Sequence, residues 1–100
     1  MEEVLYYNEL YDLYGELLTD KQRKYYEDYY FNDLSLGEMA DLYGVSRNAI
    51  FKQVHNVTNK LEDYEKKLGL LDKKNSLLGI INTIKDKNVK NNLNEIVDKF

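Results

Sequence analysis

The chain has 100 residues, no Cys, no Pro, five Gly and a formal net charge of −4, a length that suits one domain with a core of modest depth. Without Cys it has neither disulfides nor a thiolate zinc site, as suits a reducing compartment. No apolar run spans a membrane, and the opening MEEVLYYNELYD is acidic where a signal peptide is basic, so the expected location is the cytoplasm.

Periodicity predicts helices throughout and no strand. The first runs from Glu2 to Leu17, with Tyr6, Leu10, Leu13 and Leu17 on one stripe and Gly15 weakening its last turn. Thr19 and Gln22 form a capping box that opens a second helix, reaching about Phe31. Its Tyr25, Tyr26, Tyr29 and Tyr30 read as core residues with polar tips rather than a base-stacking platform. Asn32 and Asp33 break it before a second capping box, Ser35 with Glu38, starts a third helix. Ala40 is small where two helices must cross, and Gly44 can take the left-handed conformation that ends a helix. Val45 is expected to plug the turn. Ser46 caps a fourth helix that continues to Leu68 and closes at Gly69.

Beyond Gly69, Asp72 is the expected cap of a fifth helix, with Leu77, Leu78, Ile81 and Ile84 inward. Asn88 is the expected cap of a sixth, with Val89, Leu93, Ile96 and Phe100 inward. The pattern is a single all-helical domain over 1–100. It comprises N-terminal helices (1–34), a helix-turn-helix with a long second helix (35–68) and C-terminal helices (69–100).

The fourth helix carries two opposed faces. Ile50, Val54, Val57, Leu61, Tyr64 and Leu68 are spaced four, three, four, three and four residues, a heptad seam. Either the last two helices fold back over this seam or a second copy does. A homodimer is the expected outcome, and core packing within one chain is the alternative. Asn48, Lys52, His55 and Asn59 lie almost opposite the seam, with Arg47 and Phe51 to one side. Arg, Lys, Asn and His suit phosphates and base edges; an ordinary solvated face is the plainer reading.

Charge sharpens the choice. Residues 1–34 hold nine acids and three bases, residues 35–68 five of each, and residues 69–100 four acids and six bases. No acid lies between Asp41 and Glu62, while Arg47, Lys52 and Lys60 fall inside that window. An acidic protein is a poor general nucleic-acid binder, but this segment is locally basic. Catalysis has little support: His55 is the only His, no Cys or Ser is arranged for it to activate, and neither a P-loop nor GxGxxG is present. No enzyme activity, cofactor or metal is implied.

Leu18, Gln22-Arg23, Tyr30-Phe31, Leu34-Ser35, Glu38-Met39-Ala40 and Val45-Ser46 resemble region 4 of sigma-70-type factors. The run LTDKQRKYYEDYYFNDLSLGEMADLYGVSRNAIFKQV followed by LEDYEKKLGLL is similar more closely to the YlxM family of small bacterial proteins. That resemblance implies an all-α, sigma-70 region 4 type helix-turn-helix with extended C-terminal helices. The resemblance to sigma region 4 implies that Arg47, Asn48 and Lys52 face DNA, with Arg23 as a phosphate contact. YlxM proteins are usually encoded beside genes for the signal recognition particle GTPases, which implies an accessory role on that particle's RNA or GTPases. The other readings are a sequence-specific DNA-binding transcriptional regulator and a protein-interaction module without nucleic-acid binding. The chain departs from sigma factors in its acidic character.

Overall fold

Both predicted capping boxes form, and they set where the second and third helices begin. The Thr19 hydroxyl accepts from the Gln22 amide while the Gln22 side chain accepts from the Thr19 amide, and Ser35 and Glu38 do the same. Each pair satisfies donors that a helix start leaves open. The structure, a computed structural model, describes Glu2–Phe100. Its helices are α1 (Glu2–Tyr14), a 3-10 turn (Gly15–Leu17), α2 (Asp20–Tyr30), α3 (Leu36–Tyr43), α4 (Arg47–Leu68), α5 (Leu70–Ile81) and α6 (Lys87–Val97). No strand occurs among the described residues.

The 22-residue α4 is the centre of the molecule, and α1, α2 and α3 all pack on it. Ile50, Val54, Val57 and Leu61 are buried, Tyr64 is half-buried, and Leu68 is 45% exposed. The lower half of the seam, Val57 and Leu61, joins Leu10 and Tyr14 of α1, Tyr26 of α2 and Leu71 of α5. The upper half, Ile50 and Val54, joins Tyr25 of α2 and Met39 and Ala40 of α3. The cover therefore comes from the N-terminal helices of the same chain, not from folded-back C-terminal helices; α5 adds only its first turn. Preceding helices can reach this edge because the turns after α2 and α3 bring them beside α4.

The α1 stripe sits one residue away from its expected phase. Leu10, Tyr14 and Leu18 are buried and Leu13 is half-buried, whereas Tyr6 and Leu17 are exposed. Tyrosine hydroxyls explain part of this choice, since each ring can bury its body and keep a polar tip bonded. Tyr7 donates to Glu62 at 2.8 Å and Tyr14 to Glu65 at 2.6 Å, fastening α1 to α4. The Glu62 bond and burial push Tyr7 up to about 12. Burial and then the Glu65 bond push Tyr14 up to about 12. Both phenols thus stay protonated donors at neutral pH. Tyr11 stacks on Tyr26 with centroids 4.5 Å apart, and the Tyr26 hydroxyl donates to Asn8.

Gly69 adopts the left-handed conformation at φ 63°, ending α4 and starting α5 at once. Asp72 lies in the first turn of α5 and is not its cap. A remote pair does that work: Glu65 accepts the amides of Leu71 and Asp72, and the Tyr14 hydroxyl accepts the amide of Leu70. Lys73 donates to the Leu68 carbonyl, closing the other side of the junction. At α6 the cap is Asp86, which accepts from Asn88 and Val89, so the helix begins two residues earlier than Asn88 would set.

The α5–α6 hairpin packs mainly on itself and on α1. Ile81 and Val97 are buried, and Leu78, Ile84 and Leu93 are half-buried. Leu77, Val89, Ile96 and Phe100 do not point inward: with Ile80 they are 40–63% exposed. The hairpin makes the molecule long, 55 × 25 × 23 Å with a radius of gyration of 16.9 Å, against roughly 13 Å for a compact chain of this length.

Replacing Leu61 by Ala should destabilise the fold by about 2–5 kcal/mol, because a fully buried side chain leaves a cavity; urea unfolding measures it. A second expectation concerns acid. Burial works to raise the Glu65 pKa, but hydrogen bonds from Tyr14 and the Leu71 and Asp72 amides outweigh it and lower it below 4.5. A carboxylate with a depressed folded pKa stabilises fully above its unfolded value, and that stability fades as pH falls through the folded one. Glu65→Gln should therefore lower the melting temperature at pH 7 and shrink the gap to wild type as the pH drops below 4.5.

Candidate nucleic-acid interface

The turn between α3 and α4 occupies three residues. Gly44 takes φ 69° and ψ 34°, where a side chain would be strained. Its amide and that of Val45 both reach the Ala40 carbonyl, the latter at 3.1 Å. Ser46 then caps α4 by accepting the Ala49 amide at 3.0 Å. Val45 is 42% exposed and does not plug the turn. Met39 and Ile50, both fully buried, fill the crossing instead, and Ala40 lies in their cluster.

α3 is held in place by a polar device inside this layer. Asp28 of α2 is buried, and it accepts from the Tyr43 hydroxyl and from Asn32 at 3.1 Å. Burial and this bond raise the Tyr43 pKa above the ordinary phenol value. The Tyr25 and Tyr43 rings pack 4.7 Å apart beside it. A buried carboxylate with its oxygens satisfied fixes position, because moving either helix would strand the charge. Nothing in the spacing of Asp28 and Tyr43 distinguished them from surface residues.

The opposite edge of α4 is open. Arg47, Asn48, Lys52, His55 and Asn59 are all exposed, and Arg47 to Asn59 spans about 18 Å of helix. Among the described residues neither Arg47 nor Lys52 is in an ion pair; the two pairs there are Arg23–Asp20 and Lys67–Asp63. Three of the neighbouring acids are engaged elsewhere: Glu38 bonds the Ser35 amide, Glu62 takes the Tyr7 hydroxyl, and Asp63 holds Lys67 at 2.8 Å, while Asp41 of α3 is exposed. The Arg47 guanidinium lies across Gly37, so close that a Cβ there would meet it at 3.1 Å. Arg47 also stands at the positive end of α4, a place that disfavours a cation and favours an anion.

Arg23 is not brought to this edge. It pairs with Asp20 at 2.5 Å and lies by α1, where it lines a hollow with Tyr11, Asp12, Gly15 and Glu16. Phe51, by contrast, joins the open face. It is 55% exposed and lies parallel to His55, with interplanar angle 6° and centroids 6.0 Å apart. Its position beside the polar stripe was legible from helical spacing, but its alignment with His55 was not.

The family model described as "Putative helix-turn-helix protein, YlxM / p13 like" matches residues 1–100. The chain belongs to this family. It is 42% identical over 85 residues to a UPF0122 protein of Caldanaerobacter subterraneus subsp. tengcongensis, covering 85% of this chain and 73% of that one. It is 46% identical over 86 residues to the UPF0122 protein of Geobacillus kaustophilus, covering 86% and 78%. It is 42% identical over 84 residues to that of Mycoplasma capricolum, covering 84% and 74%. A helix-turn-helix family and the observed α3–turn–α4 unit agree. No helix is long and apolar enough to cross a membrane, and no group of three His, Cys, Asp or Glu could hold a metal ion, among the described residues.

Proposed function

We propose that this protein is a non-enzymatic regulatory or accessory factor that binds nucleic acid through the open edge of α4. One observation carries the reading. Among the described residues Arg47 and Lys52 are cations without ion-pair partners, next to a helix-turn-helix turn, and of the flanking acids Glu38 and Glu62 are bonded elsewhere. Arg47 and Lys52 take phosphates, while Asn48, His55 and Asn59 face base edges or backbone oxygens. The resemblance to YlxM proteins makes signal recognition particle RNA the first target to try, with duplex DNA as the competing one. The acidic N-terminal segment, residues 1–34 with nine acids against three bases, favours the remaining alternative, a protein partner such as the pathway GTPases.

The working unit of this proposal is a homodimer. Leu77, Ile80, Val89, Ile96 and Phe100 expose apolar surface on a thin two-helix hairpin, and water-exposed apolar clusters of this kind mark association surfaces. Sedimentation at high concentration should give about twice the chain mass of 11.9 kDa; a monomer removes this part of the proposal alone.

Binding to signal recognition particle RNA, duplex DNA and the GTPases should be titrated for wild type and an Arg47→Ala, Lys52→Ala double variant. Each lost charge-assisted contact should cost about 1–3 kcal/mol. The salt slope on a duplex should fall by about 2 in total. Equal nucleic-acid affinity for both proteins overturns the site. Binding to a GTPase alone, unaffected by the double change, replaces it with the protein-interaction reading.

A further inference from the structure

Next to the open edge of α4 lies a cleft that the phosphate-contact reading leaves unused. α2 contributes Tyr29 and Tyr30 to it, α3 contributes Leu36, and α4 contributes Phe51, Val54 and His55. Val54 is buried, the tyrosines and Leu36 are half-buried, and Phe51 and His55 are exposed. The cleft therefore has Val54 and Thr58, whose hydroxyl is bonded to the His55 carbonyl, at its floor and aromatic rings at its rim. Its volume is about 100 Å³. A benzene-sized ring occupies a closed cavity of roughly 150 Å³, so one flat ring fits here part-inserted, with its edge in solvent.

The aromatic groups are arranged for a flat guest. Phe51 and His55 are parallel to within 6°, and Tyr29 meets Tyr30 edge-on at 87°, 5.0 Å between centroids. Water-exposed Phe with a parallel neighbour offers a π-face at no further ordering cost to a ring laid on it. Charge sets the direction from which a polynucleotide would arrive. Lys52 adjoins Phe51 in the chain, and Arg47 lies one helical turn before it. The larger neighbouring hollow of about 430 Å³ shares Tyr29 and Tyr30 but carries Asp33, which repels phosphate. A sugar-phosphate backbone is thus held on the Arg47–Lys52 side while a base turns toward the cleft.

We infer that the Phe51–His55 pair and the Tyr29–Tyr30 cleft form a seat for one unpaired base of a polynucleotide. This rests on the α4 reading above and deepens it. A base inside a continuous duplex keeps its faces stacked and cannot enter, whereas a bulged or single-stranded one offers its face freely.

The test uses a stem-loop with one bulged 2-aminopurine and the same stem fully paired, each as RNA and as DNA. Wild type should bind the bulged form about tenfold more tightly, the range of one base–aromatic stack, and should quench the 2-aminopurine. Quenching in RNA, DNA or both identifies which backbone supplies the base. Phe51→Ala and Phe51→Leu should bring the bulged form down to the paired one while leaving paired-stem affinity and its salt slope unchanged; Phe51→Tyr should retain the preference. A preference and quench that survive Phe51→Ala overturn the seat, as does equal binding of bulged and paired stems by wild type, and in both cases the phosphate site stands. No binding of any stem, or paired-stem binding indifferent to the Arg47→Ala, Lys52→Ala change, overturns the α4 site and the seat with it.

Discussion

The burial of one edge of α4, along Ile50, Val54, Val57 and Leu61, is the constraint that orders the other helices. A helix of this composition holds little stability alone, since isolated helices are marginal and depend on a packed apolar face. Three shorter helices supply that face from one side, so the reverse side is left to solvent along its whole upper half. The open polar edge is thus a by-product of the same packing that holds the chain together. It cannot be lost without exposing the seam, nor covered without another molecule.

Tyrosine adapts this small core to its size. A 100-residue chain has few positions shielded from water on every side, and Tyr14 and Tyr26 bury whole rings while their hydroxyls reach polar partners at the margin. Glu62 and Glu65 serve as acceptors for two such hydroxyls. These bonds also have an electrostatic consequence, because they turn the acids that follow the basic window toward α1. On an acidic protein the first three turns of α4, Arg47 to Asn59, carry no acid of their own. Local arrangement, and not net charge, governs what that face can approach.

The two ends of α4 are built differently. Its N-terminal end is a rigid turn whose caps are local: Ser46 reaches Ala49, and Gly44 points its amide at Ala40. Its C-terminal end is joined to α5 through a single left-handed residue, and the junction is secured by Glu65 and Tyr14. The hairpin beyond it has a sparse interior, with exposed apolar groups on both helices. Order there depends on the junction and on whatever meets those groups, while the α3–α4 unit is held by its own crossing and by α1 and α2.

Features that act over three or four residues were legible in the chain. The two capping boxes, the left-handed Gly44, the Ser46 cap and the opposed faces of α4 all follow from spacing alone, because their partners lie within one helical turn. Tertiary structure decided what lies across space. It set the phase of α1, where Tyr7 and Tyr14 find partners 55 and 51 residues away. It chose α1, α2 and α3 over α5 and α6 as the cover of the seam, a choice periodicity cannot make because every amphipathic helix offers a similar stripe. It gave the α5 cap to Glu65 in place of Asp72, engaged Arg23 with Asp20, and left Val45 in water. In each of these the local pattern allowed several partners, and the one adopted was fixed by which helix the turns at Asp33, Gly44 and Gly69, all at positive φ, brought alongside.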